Sequence, residues 1–211
     1  MKIFYLMLSV LLSYAPIASR AEILPPDELI RSTSHDLVEI IHQDERAKVI
    51  NQKRLLDFID AKVLPHFDFE RMTKLAVGRS WRTATEEQKK ALITEFRTLI
   101  VRTYAKAFTL YKVASIETKA LTEPVNATDL TVKTVILRPD GPSVLVNYEM
   151  EKTEAGWKAF DVTVEGISLV ATHRGSFAEK VQQSGIDGLI KSLAELNQGA
   201  GNVAVSKAAA K

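Results

Sequence analysis

The stretch TDLTVKTVILRPDGPSVLVNYEMEKTEAGWKAFDVTVEG, residues 128–166, alternates apolar and polar side chains with a period of two. That is the spacing of strands covered on one face and wet on the other. The alternation breaks at Asp140-Gly141-Pro142 and again at Glu154-Ala155-Gly156, both of turn composition. Connections this short join antiparallel neighbours, so the stretch reads as three strands, 128–138, 143–152 and 156–166. A further alternating segment, 113–121, supplies one more at the front. Side chains alternate between the two faces of a strand. Val144, Val146, Tyr148 and Met150 therefore share one face. Phe160, Val162 and Val164 share a face of the next strand, with Asp161 and Thr163 turned away.

Outside this stretch the period is 3.6. Pro25-Pro26-Asp27 opens a helix that carries Ile30, Leu37, Ile40 and Ile41 near one side. A second helix covers 51–63, with Leu55, Leu56, Ile59 and Val63 inward, and Pro65 stops it. Asp68 caps a short helix with Phe69, Met72, Leu75 and Ala76, which Gly78 ends. Thr85 and Gln88 form a capping box for a long helix. Its apolar face holds Leu92, Phe96, Leu99, Ile100, Tyr104, Ala107 and Phe108, and its solvated face Lys89, Lys90, Glu95, Arg97, Arg102 and Lys106. Helix returns after Val170, with Thr172 or Ser176 as the cap and Phe177 and Val181 inward. Gly185 breaks it, and a last short helix follows. The fold class is α+β: helices wrapped around a twisted antiparallel sheet of about four strands.

The chain has 211 residues, 46% hydrophobic and 26% charged, enough for one domain with a core. Residues 1–21 have a lone Lys2, an uncharged apolar run and small residues at 19 and 21, the pattern of a secretory signal peptide cleaved after Ala21. There is no cysteine, so neither a disulfide, a thiolate nor a lipid-attachment site is available. Removing Lys2 and Arg20 with the leader leaves the 26 acidic residues matched by equal numbers of bases. A nucleic-acid binder would carry a basic excess. Residues 197–211 are small and polar and read as a disordered tail, leaving a single domain over 22–196.

Residues 161–177, DVTVEGISLVATHRGSF, place an acid, a serine and a histidine close together. A hydrolase elbow needs glycine two residues after its serine, and Val170 stands there. Ser168 is read as a packing serine, His173 as a surface residue, and Asp161 as satisfying nearby backbone or an arginine. Gly166 allows a bend leaving the last strand. The four histidines form no ligand pair at helical spacing, and Asp68 beside Glu70 and Arg71 is explained as a cap. No phosphate-binding glycine motif is present. No catalytic residue, metal ligand or cofactor site is assigned.

Three segments, VLPHFDFERMTKLAVGRSWRTATEEQKKALITEFRTLIVRTYAKAF, WKAFDVTVEGISLVATHRGSF and GIDGLIKSL, together resemble the MlaC family of toluene-tolerance auxiliary proteins. The resemblance runs from about residue 27 to 196. Trp157, Asp161-Val162 and Glu165-Gly166-Ile167-Ser168 match its pattern, as do Arg174 and Phe177, whereas His173 stands where that family has an aromatic ring. The resemblance implies a non-enzymatic periplasmic phospholipid carrier. Its partners would be an outer-membrane lipoprotein–porin complex and an inner-membrane ABC transporter complex, and its role the maintenance of outer-membrane lipid asymmetry. It also implies a cradle similar to nuclear transport factor 2-like folds, with the lipid tails in an apolar cavity between sheet and helices. The faces read above then supply the candidate lipid contacts: Val144, Val146, Tyr148, Phe160, Val162 and Val164 from the sheet, and Met72, Leu75, Phe96, Leu99, Ile100, Tyr104 and Phe108 from the helices. A carrier of another lipid such as a hopanoid, and a non-catalytic periplasmic adaptor, are the alternatives. An enzyme on the same scaffold would need an acid/base pair inside the cone, where the inward strand faces offer little beyond Tyr148.

Overall fold

A computed structural model describes residues 23–47, 51–110, 113–122 and 127–199. Residues 1–22, where the leader was expected, residues 200–211 and the side chains of 45 and 105–110 lie outside the described residues. Helix α1 (Pro26–Arg46) begins on Pro26, whose fixed φ suits a first helical turn. Helix α2 (Gln52–Phe58) is capped by Asn51, whose side chain accepts from the Arg54 N–H at 3.0 Å. It runs on through a π-helical turn (Ile59–Val63) into a 3-10 turn (Leu64–His66) that holds Pro65. Leu55 and Ile59 are buried, while Leu56, expected inward, is exposed.

Helix α3 (Phe69–Val77) starts as its sequence dictates: Asp68 accepts from the Arg71 N–H at 2.8 Å, and Gly78, at φ +67°, closes it. A 3-10 turn (Gly78–Arg82) leads to α4 (Glu86–Leu110). The capping box is formed reciprocally, Thr85 N–H to Gln88 Oε1 at 3.0 Å and Gln88 N–H to Thr85 Oγ1 at 3.2 Å. Two orphan donors are thereby satisfied at the head of the longest uninterrupted helix.

The sheet is an antiparallel meander in the order β1 (Ser115–Thr118), β2 (Asp129–Leu137), β3 (Val144–Thr153), β4 (Gly156–Val164) and β5 (Ile167–Ser168). The fifth strand is two residues long and was not expected. Glu165 and Gly166, both at positive φ, make a two-residue hairpin that returns the chain alongside β4. The bend expected at Gly166 is therefore a reversal. Helix α5 (Leu169–Gly199) follows at once and kinks at Gly185, the expected break, where φ is +72°. It continues to Gly199, past the expected end of the domain at 196. Asn197 is buried and its amide donates to the Glu95 carbonyl at 3.0 Å and to Glu95 Oε2 at 2.6 Å, tying the helix end to α4.

One register detail changes a face. Tyr148 pairs with Val162, but Met150 pairs with Ala159, so β4 carries one extra residue opposite Glu149. This bulge makes Phe160 and Asp161 both intervene between two positions of the same face. Trp157 and Ala159, not Phe160, continue the Val162–Val164 face, and both are buried with Met150. Phe160 lies instead under the guanidinium of Arg71, 3.5 Å from the ring centre. Arg71 also pairs with Glu151 on β3. The bulged strand is further held by the Asp68 N–H, which donates to the Ala159 carbonyl at 2.8 Å, in a parallel bridge between Phe67 and Ala159.

Candidate functional site

Among the described residues the buried apolar side chains fall into four clusters, three of them bridged by shared rings. The helices α3, α4 and α5 close around Met72, Leu92, Phe96, Leu189 and Leu193, all essentially buried. Helix α1 packs Leu29 and Ile30 onto Val132, Met150, Trp157 and Ala159 of the sheet. Leu37 and Ile41 of α1 meet Leu55 and Ile59 in a third cluster. The fourth gathers Val146, Val162 and Leu169 with half-buried Ile136, Val144, Val164, Tyr148, Tyr104 and Phe67. Three aromatic rings stand on the boundaries. Phe67 packs on the helical cluster and on both sheet clusters, Tyr104 links the helical cluster to the fourth, and Tyr148 links the two sheet clusters.

The line along which the sheet's apolar face meets the helical layer is thus a seam of packed apolar side chains bridged by these rings. Its polar atoms are few and neutral. Burial pushes the Tyr104 phenol above its ordinary value. Burial does the same to Tyr148, opposed by its hydrogen bond with Thr134. Thr134, itself buried, donates its hydroxyl to the Val146 carbonyl at 3.0 Å. The seam's valines, isoleucine and rings offer dispersion contacts to one another, with two phenols that burial keeps neutral.

Of the candidate contacts read from sequence, the seam gathers Val144, Val146, Tyr148, Val162, Val164 and Tyr104. Met72, Phe96, Leu99 and Ile100 belong to the helical cluster. Leu75 is 39% exposed and faces solvent, and Phe160 has left the face at the bulge. The side chain of Phe108 lies outside the described residues. Helical spacing reported correctly that most of these residues turn inward, but α4 has two interiors to choose between. Phe67, Leu169 and Ile136 join the seam without having been singled out. For Phe67 the available signal was the aromatic pair in His66-Phe67-Asp68-Phe69, whose rings stack at 5.8 Å.

Against known proteins, residues 31–195 match the family model described as MlaC protein. The chain belongs to the MlaC family. The toluene tolerance protein ttg2D of Pseudomonas putida is 25% identical over 205 residues, covering 92% of this chain and 93% of that one. The intermembrane phospholipid transport system binding protein MlaC of Haemophilus influenzae is 23% identical over 134 residues, 62% of this chain and 63% of its own. Among solved structures, the phospholipid-binding protein from Ralstonia solanacearum, in complex with a phospholipid, superposes with a TM-score of 0.77 at 28% identity. It covers 85% of this chain and 100% of that one. The helix-covered antiparallel sheet is thus the fold of a lipid-bound MlaC-family relative.

In this MlaC-family chain the residues that invited a hydrolase reading form a structural knot. Asp161 Oδ1 accepts from the Val162 N–H at 2.8 Å and the Val170 N–H at 3.2 Å, and Oδ2 accepts from the Ser168 hydroxyl. Ser168 Oγ in turn accepts from the Ala171 N–H at 2.9 Å. Ser168 is therefore the cap of α5, and the helix starts at Leu169, before the expected Thr172 or Ser176. The Ser176 hydroxyl donates to the His173 carbonyl at 3.0 Å from inside the helix. His173 is not a surface residue. Its ring meets Phe96 edge-on at 5.3 Å and lies 5.4 Å from Phe177.

Burial holds His173 below its ordinary value of 6.5. His66 is shifted the same way, by burial first and by Lys158 second. A lowered folded value means that the neutral ring is favoured in the native state, whereas the unfolded chain takes up its proton near 6.5. The contribution to stability is complete above that pH and is lost as pH falls through the lower folded value. The urea midpoint should accordingly drop on going from about pH 7.5 to about pH 5.5, a window above the carboxylate range. His173→Phe should flatten part of that drop and leave the part due to His66. An unchanged slope in the variant would remove His173 as a source.

Proposed function

We propose that this chain is a periplasmic phospholipid carrier that moves lipid between an outer-membrane lipoprotein–porin complex and an inner-membrane ABC transporter complex, with the acyl chains held in the seam. The observation that carries this reading is the match, over 85% of this chain, to a relative solved with a phospholipid in place, together with the apolar cluster on the sheet face. The names of the Haemophilus and Pseudomonas relatives, intermembrane phospholipid transport and toluene tolerance, support the same role. The leader at 1–21 fits export to that compartment.

Physical chemistry explains why such a protein needs a cavity and no catalytic group. A phospholipid carries about thirty methylenes at ~0.8 kcal/mol each, so exposing both chains to water costs on the order of 20 kcal/mol. A carrier replaces that exposure with dispersion contact along an apolar slot and leaves the headgroup near water. The sheet supplies the rigid wall, through a register fixed from Leu130↔Met150 to Ile136↔Val144. The helices supply the other. Tyr104 and Tyr148 each bring a ring for the chains and a neutral hydroxyl.

The mature protein, isolated from periplasm without detergent, should show by native mass spectrometry an added mass equal to a phospholipid. Extraction should identify the acyl chains. A polycyclic lipid in its place would move the assignment to a hopanoid carrier. A protein that stays empty after incubation with phospholipid vesicles would sink the carrier reading.

A further inference from the structure

Six of the ten arginines among the described residues have an acidic partner. Arg31 pairs with Asp27 and Glu28, Arg46 with Glu39, Arg54 with Asp44, Arg71 with Glu151, Arg97 with Asp60 and Arg138 with Asp140. Arg79, Arg82, Arg102 and Arg174 have no ion-pair partner among the described residues, and Arg79 and Arg174 line the same cleft. This cleft, of about 330 Å³, lies between the Gly78–Arg82 turn and the first half of α5. Val77, Ala178 and Val181 make an apolar floor, and Arg79, Ser80, Arg174 and Gln182 supply the polar rim. No carboxylate lines it. Gly78 is required here. At φ +67° any side chain would be strained, and the glycine lies in ordinary contact range of Arg174 Nε.

The cleft is separate from the seam: its floor is the outer side of the helical cluster, to which Val77 and Val181 belong. We propose that it is the docking site for an acidic segment of a partner protein. The proposal rests on the carrier reading for the need of a partner, since a carrier must deliver its load at a defined place. Charge complementarity selects the occupant. Two guanidiniums without an internal acid present paired donors to carboxylates. Both are exposed, so a small free anion held by them alone would be screened by salt and weakly retained. A peptide that alternates acidic and apolar side chains gains more, because its apolar residues also cover Val77, Ala178 and Val181. Ser80 and Gln182 are placed to bond its backbone.

The mature chain, labelled with ¹⁵N, is titrated with a ten-residue peptide of alternating glutamate and leucine, and in parallel with inorganic phosphate and with phosphatidylglycerol vesicles. The expected result is peptide-induced amide shifts confined to residues 77–80 and 174–182, weakened by salt. The Arg79→Glu/Arg174→Glu pair should bind about tenfold or more weakly, the scale of two lost charge-assisted contacts. Arg79→Lys/Arg174→Lys, which keeps the charge without the fork, should fall between. This second pair also covers the case in which charge reversal disturbs folding. Equal shifts with phosphate would overturn the peptide assignment in favour of a small-anion site. Shifts with vesicles alone would overturn it in favour of a membrane surface. No shifts at millimolar peptide, or shifts elsewhere, would remove the cleft as a docking site. The lipid load of the same samples is read by native mass spectrometry. An intact load without peptide shifts rejects the cleft alone, and an absent load with peptide shifts rejects the carrier reading alone.

Discussion

Val162→Trp should empty the protein of lipid without unfolding it. Val162 is 7% exposed, pairs with Tyr148 across β3 and β4, and sits at the centre of the cluster that walls the seam. An indole added there has two possible destinations. In a filled core it would force its neighbours off their rotamers at a cost of about 1–3 kcal/mol. In a slot that receives an acyl chain it takes the place of the chain. Displacing even two methylenes removes about 1.6 kcal/mol of burial, more than tenfold in affinity. Native mass spectrometry should then show the lipid-bound fraction reduced by about tenfold or more. The melting temperature of the delipidated variant should stay within a few degrees of the delipidated parent. Comparing delipidated samples matters, because bound lipid itself raises the melting point by mass action. Val146→Trp, whose side chain shares the same face opposite Val164, should behave alike. An unchanged lipid load with a large loss of stability would show that Val162 belongs to a filled core.

The sheet was legible in sequence because its signal is local. Alternation marks a half-buried strand, and the two turns read at 140–142 and 154–156 leave no freedom in how the strands connect. Helix caps were equally legible at Asp68 and Thr85, where a short polar side chain precedes an apolar period. What escaped was everything that depends on a partner segment. The extra residue at Phe160 leaves no mark in its own strand, since an apolar residue there fits the alternation. Only the pairing of Ala159 with Met150 reveals the bulge. Ser168 does lie in a strand, β5, but its second role as the cap of α5 became visible only through Asp161, seven residues back. His173 could have been placed better, since Phe177 lies four residues on and shares its helical face. The division of the interior into a helical core and a sheet seam is a property of layers, which no periodicity encodes.

That division gives Phe96→Ala a result opposite in kind to the seam variants. Phe96 was a candidate lipid contact by its spacing, yet it is fully buried in the helical cluster. Its ring meets Phe177 edge-on at 5.3 Å and at 76°, and His173 at 81°. Truncation removes a wholly buried aromatic side chain and two ring contacts, and the three helices around it cannot all close inward. The expected cost is about 3–5 kcal/mol by urea unfolding, a large share of the ~5–15 kcal/mol that stabilises a typical domain. Phe96→Leu retains more of the volume and should cost less. In both variants the molecules that remain folded should still carry phospholipid with unchanged chain composition, because the seam residues Val146, Val162 and Leu169 belong to a different cluster. Loss of lipid at modest loss of stability would mean that the acyl chains reach between α4 and α5, and the cavity would then have to be redrawn through the helical layer.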